Sequence, residues 1–106
     1  MTRPDLLDPV RVDEWLGEHR EWQLRDAHLV RVIRTIDYPS SVVILCAQVE
    51  VAERLDHHPM VSLGYCEVTF ELWTHDRGGI TQLDLDYASA LDDIVATRFA
   101  VFLATT

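Results

Sequence analysis

Tyr65-Cys66-Glu67-Val68-Thr69-Phe70-Glu71-Leu72-Trp73-Thr74-His75 alternates in polarity with a period of two. Successive side chains of an extended chain point to opposite faces. Cys66, Val68, Phe70 and Leu72 are therefore expected to face a core, with Glu67, Thr69, Glu71, Trp73 and His75 on the other side. A strand that is polar on one side belongs to a sheet whose second face is wet or functional.

Upstream of this strand, Val42, Leu45, Cys46, Val49 and Ala52 recur at helical spacing, with Gln48, Glu50, Glu53 and Arg54 off the stripe. The helix is expected to start after the punctuation of Tyr38-Pro39-Ser40-Ser41 and to stop near His58, because Pro59 biases the residue before it away from helical geometry. Earlier still, residues 21–24 and 29–36 flank the polar break Arg25-Asp26-Ala27-His28 and read as a hairpin. Asp8-Pro9 supplies a capping side chain followed by proline at the first helical position, and Val12, Trp15, Leu16 and His19 continue a first helix over residues 9–19. Downstream, Asp76-Arg77-Gly78-Gly79 is a turn. Thr81 with Asp84 then forms a capping box for a last helix carrying Ala88, Leu91, Val95, Phe99 and Phe102. Strands interleaved with helices, without regular strand-helix-strand alternation, imply an α+β layer structure with helices over one face of an antiparallel sheet. Leu29 and Ile33, opposite Val30 and Val32, are expected to leave the other face partly apolar, so that a homodimer or homotetramer forms there.

The chain of 106 residues, 48% hydrophobic, suits a single domain over residues 1–106. A net charge of −9 and a pI near 4.7 argue against a nucleic-acid partner, since phosphate-tracking proteins present a basic face. All nine basic residues are arginines, scattered from Arg3 to Arg98 without a run suited to a membrane surface. No apolar run approaches the ~20 residues of a membrane span, and acids stand where a secretion signal needs bases, so a cytoplasmic protein is expected. Cys46 and Cys66, both on apolar faces of their expected elements, read as buried free thiols in a reducing compartment.

The residues able to do chemistry are His57-His58-Pro59 after the central helix and Thr74-His75-Asp76 at the end of the long strand. Imidazole, with an unperturbed pKa of roughly 6.5, gives and takes protons near neutrality, which suits an elimination needing both an acid and a base. Plainer readings stand beside this one. His57 and His58 could complement the negative end of a helix dipole for ~0.3 to 1 kcal/mol, His75 could be an edge-of-sheet polar residue, and the capping box accounts for Asp84. No metal site is expected, because neighbouring histidines on a helix project about 100° apart and no His-x-x-x-His or Cys-x-x-Cys spacing exists. Gly78-Gly79 lacks the spacing and the lysine of a phosphate loop, and there is no Gly-x-Ser-x-Gly elbow.

Ala52-Glu53-Arg54-Leu55-Asp56-His57-His58-Pro59, then Tyr65, Val68, Leu72, Thr74-His75-Asp76, Gly79-Ile80-Thr81 and Asp84, resemble the pterin-4a-carbinolamine dehydratase family over residues 22–90. The resemblance implies a helix-strand-strand-helix-strand-strand-helix fold with a four-stranded antiparallel sheet. It implies dehydration of 4a-hydroxytetrahydropterin to quinonoid dihydropterin, with pterin as substrate and no cofactor. Carried onto matching positions, it makes His57 and His75 the acid-base pair and has His58 hold the pterin. Asp56, Trp73, Thr74, Asp76 and Asp84 would line the site, and Trp22 would cover the ring. Met60-Val61 and Leu83 depart from the family pattern. Relatives of the family also act as a dimerisation cofactor or as assembly factors, which leaves a binding or assembly module with little or no activity as the alternative.

Spacing alone does not join the histidines. Residues 65–74 span ~30 Å at about 3.3 Å per residue, and a tight hairpin at Gly64 would bring His57 opposite about Phe70.

Overall fold

Each α-helix opens on a side chain that accepts from one of its otherwise unpaired N–H groups. In the computed structural model, which describes residues 4–104, α1 (Pro9–Glu18) begins at Asp8, whose carboxylate accepts from the Val10 N–H at 2.9 Å. After α1 come β1 (Trp22–Arg25) and β2 (His28–Arg34), then α2 (Tyr38–Leu55), β3 (Met60–Leu63), β4 (Glu67–Leu72) and α3 (Gln82–Arg98). Tyr38-Pro39-Ser40-Ser41 is the first turn of α2 and not a break before it. Asp37 caps the helix, and Pro39 is tolerated because its missing N–H would have no partner there.

The sheet order is β1-β2-β4-β3, with every neighbouring pair antiparallel. β2 and β3 each run against β4 and so run parallel to one another, an arrangement that requires a crossover, supplied here by α2. The crossover brings the start of β2, the start of β3 and the end of β4 to one end of the sheet.

On β4, Val68, Phe70 and Leu72 are buried as the alternation requires, but the strand is shorter than expected. Cys66 lies half-buried in the turn before it, and residues 73–75 lie beyond it. Leu29 pairs with Leu72 and Ile33 with Val68, which puts both β2 residues against the helices. The opposite face therefore carries Val30, itself buried, and the half-buried Val32 instead, and the self-association surface expected at Leu29 and Ile33 is covered. Phe70 is fully buried in this core; truncating such a side chain typically costs about 3–5 kcal/mol.

The expected stripe of α2 is also displaced. Its inner face is Ser41, Ile44, Gln48, Val51 and Ala52, while Val43, Cys46 and Val49 are exposed. The polar members of the inner face are satisfied by hydrogen bonds: the Ser41 and Thr35 hydroxyls meet at 2.6 Å, and Gln48 accepts from the Tyr87 hydroxyl on α3. Burial pushes the Tyr87 phenol up from its ordinary value. Cys46 and Cys66 are free thiols, yet neither is buried.

Ala88, Leu91 and Val95 of α3 are buried as expected, but the helix ends at Arg98. Phe99 is its C-cap, and Phe102 belongs to a separate 3-10 turn. Among the described residues, no helix is long and apolar enough to cross a membrane.

Candidate active site

Two neighbouring histidines after α2 end in different surroundings, one buried and one exposed, because of how that helix stops. Asp56 adopts the left-handed conformation (φ 48°, ψ 47°), which aspartate tolerates better than most residues. Its N–H reaches the Glu53 carbonyl at 3.3 Å, and the next N–H, of His57, reaches back to Ala52 at 3.0 Å; this is a Schellman closure. The reversal turns His57 inward, 5% exposed, and leaves His58 in solvent with Nε2 2.6 Å from Glu53 Oε2.

The His57 side chain does not serve the helix end. Its Nε2 lies 2.6 Å from Oδ1 of Asp84, a carboxylate with no solvent exposure at the start of α3. The capping box is present, with Asp84 Oδ2 accepting from the Thr81 N–H at 2.9 Å, but it explains only part of this acid. The same oxygen accepts from the Thr74 hydroxyl at 2.9 Å, which in turn meets the Thr81 hydroxyl at 2.8 Å. Against an ionised carboxylate, which can only accept, a neutral imidazole in this position places its proton on Nε2 and its lone pair on Nδ1.

Asp56, His57, His58, Thr74, His75 and Asp76 line one cavity of about 190 Å³. The register explains how residues 57 and 75 come to border the same cavity. β3 pairs Met60 with Glu71 and Leu63 with Val68, and Gly64 N–H bonds the Glu67 carbonyl at 2.8 Å. The reversal is thus centred between Tyr65 and Cys66 and not at Gly64. Continued past the strands, that register sets His57 level with Thr74 and not with Phe70.

Three expected site residues do not line the cavity. Asp84 stands behind it, through His57 and Thr74. Trp22 is buried in the core, where its indole N–H bonds both oxygens of Asp92 at 2.9 and 3.1 Å and Arg31 pairs with the same carboxylate. It therefore cannot cover a ring bound in this cavity as placed. Trp73 lies beside the cavity, with its ring centroid 4.4 Å from that of His75 and stacked at 3.9 Å on His28. His28 and Glu71, joined at 2.5 Å, were not singled out in the sequence. Both could have been found only from the β2–β4 register, which places residue 28 across from residue 73 when continued by one pair.

A larger open depression of about 500 Å³ lies at the far end of the sheet, around Arg34, Tyr65, Cys66 and Glu67, and has no histidine in its lining. Among the described residues, no group of three or more His, Cys, Asp or Glu side chains is arranged to hold a metal ion.

Residues 5–94 match the pterin 4 alpha carbinolamine dehydratase family. The chain belongs to this family. A Metallosphaera sedula relative whose name places it in the same dehydratase family is 39% identical over 88 residues, covering 83% of this chain and 92% of the relative. One from Chloroflexus aurantiacus, named likewise, is 32% identical over 89 residues, covering 84% and 96%. Among solved structures, a transcriptional coactivator/pterin dehydratase from Brucella melitensis superposes with a TM-score of 0.80 at 28% identity, over 85% of this chain and 98% of that one. A pterin dehydratase-like RuBisCO assembly factor of the alpha-carboxysome shares the fold, with a TM-score of 0.57 at 18% identity over 69% and 84% of the two chains. The α+β fold of the pterin dehydratase family, with its helix-strand-strand-helix-strand-strand-helix order, is thus the fold of this chain.

Proposed function

We propose that this chain dehydrates 4a-hydroxytetrahydropterin to quinonoid dihydropterin. The observation that carries the reading is that His57 and His75 border one small cavity while Nε2 of the first lies 2.6 Å from a buried carboxylate. His57 Nδ1 takes the ring N–H proton, and the imidazolium so formed is stabilised by Asp84 through Nε2–H. His75 gives a proton to the 4a-hydroxyl, the C4a–O bond breaks, and the nitrogen lone pair becomes the new C=N bond as water leaves. Both rings then return to their starting states by exchange with solvent. Such acid-base assistance is usually worth ~10² to 10⁴ in rate. Asp56, His58, Thr74 and Asp76 bound the space in which the heterocycle is held. No electrons are exchanged with a second molecule, so the reaction as written needs no cofactor.

The test is dehydration of synthetic 4a-hydroxytetrahydropterin, followed with and without protein. Acceleration that is lost in His57→Ala and His75→Ala supports the reading; a rate unchanged by the wild-type protein sinks it.

A binding or assembly role is the second reading, favoured by the apolar residues Val43 and Val49 exposed on α2 and by the coactivator role in the name of the Brucella protein. With Leu29 and Ile33 covered, a homodimer or homotetramer would form through that α2 surface. The exposed free thiol of Cys46 suits a reducing cytoplasm.

A further inference from the structure

His75 is exposed, and an exposed histidine ordinarily samples several rotamers. A general acid that wanders in this way loses the orientation on which proton transfer depends. Three side chains outside the cavity oppose that freedom. The His75 ring lies against Trp73, with centroids 4.4 Å apart and planes 42° from one another. Trp73 is itself stacked flat on His28 at 3.9 Å and 9°. His28 Nδ1 is tied to Glu71 Oε2 at 2.5 Å.

The parts come from two strands whose ends the topology brings to the site. His28 begins β2, and Glu71 lies in β4 two residues before Trp73, so the tie and the stack close on one another across the β2–β4 pair. Neither His28 nor Glu71 is among the residues bordering the cavity.

We infer that Glu71, His28 and Trp73 form a positioning chain that holds the His75 ring toward the cavity. This inference rests on the dehydratase reading for its kinetic consequence but not for its structural one. His28→Ala removes the lower ring of the stack, and kcat is expected to fall about tenfold with KM changed less than about twofold, since orientation and not binding is lost. His28→Phe restores a flat stacking ring without the tie to Glu71 and is expected to recover most of that loss, while Glu71→Gln gives a smaller fall than His28→Ala.

The second readout needs no substrate. In protein with isotope-labelled histidine, the His75 ring protons carry a ring-current shift from the Trp73 indole. That shift is expected to collapse in His28→Ala, to persist in His28→Phe, and to leave the His57 resonances unmoved. A His75 shift unchanged in His28→Ala overturns the inference, as does a kcat equal to wild type. Equal losses in His28→Ala and His28→Phe also overturn it. If the wild-type protein does not dehydrate the pterin, the proposed function fails, and the resonance comparison still decides whether the chain positions His75.

Discussion

His57 Nε2 meets Asp84 Oδ1 at 2.6 Å across 27 residues of sequence, and both side chains are withdrawn from solvent. A buried carboxylate is costly unless its oxygens are matched by donors. Here the donors are the Thr81 N–H, the Thr74 hydroxyl and the imidazole. One acid thus caps a helix, anchors the strand end next to His75 and, when ionised, favours the Nε2–H tautomer of a neutral His57.

The first prediction concerns that tautomer. Asp84→Asn keeps the shape but presents an amide, whose NH2 can donate to His57 Nε2 and drive the proton to Nδ1, the nitrogen proposed as base. Dehydration should fall by ~10² or more while the fold persists. Single-turnover rates beside circular dichroism check this; wild-type turnover in the Asp84→Asn protein removes the dyad from the mechanism.

The histidines should not be equivalent. His75→Ala is expected to lower kcat by ~10² or more. His58 is largely exposed and engaged with Glu53, so His58→Ala should act mainly on KM, by severalfold. Steady-state parameters of the two variants decide the matter, and a loss in His58→Ala as deep as that in His75→Ala reverses the assignment.

A third prediction concerns the hairpin that presents His28. Arg25 pairs with His28 across a two-residue loop, Asp26-Ala27, in which both residues have positive φ, 50° and 63°. That geometry matches the twist of the flanking strands but favours glycine at the second position; alanine there is strained. Ala27→Gly should therefore raise stability by about 0.5–1 kcal/mol after allowing for the greater freedom of glycine in the unfolded chain. Urea unfolding measures it, and a fall in the midpoint contradicts the argument.

Much of this architecture was legible in the residues, for local reasons. Asp8-Pro9 and the Thr81/Asp84 box mark helix starts because their side chains pair with N–H groups only two or three residues away. The alternation in β4 identified Val68, Phe70 and Leu72 as core because one face is buried. The buried face of α2 was not legible. Val42, Val43, Ile44 and Leu45 are consecutive and apolar, so more than one stripe fits. The true inner face also includes Ser41 and Gln48, whose cost of burial is offset by Thr35 and Tyr87 from distant segments. The meeting of His57 with His75 escaped for a similar reason. It depends on where the β3–β4 reversal is centred, and that is a property of the turn's backbone. Trp22 was placed over the ring by resemblance alone, and the burial of its indole depends on Asp92, a partner 70 residues away.

The last prediction concerns the start of α2, the helix that delivers His57. Asp37 accepts from the Ser40 N–H at 2.9 Å and from the Ser40 hydroxyl at 2.5 Å. The bond from the Ser40 hydroxyl, followed by that from its N–H, holds the carboxyl below its ordinary value of 3.8. The folded protein therefore binds this proton less readily than the unfolded chain, and stability rises with pH across the interval between the two values. The contribution is present in full above the unfolded value and is lost as pH falls through the lower folded one. Asp37→Asn retains an N-cap of similar quality without a titrating group. The stability difference between wild type and this variant, measured by urea unfolding, should hold constant from pH 7 to about 5 and shrink once pH drops below about 4. A difference independent of pH over that range would show that the charge on Asp37 contributes nothing to the cap, leaving only the geometry that asparagine reproduces.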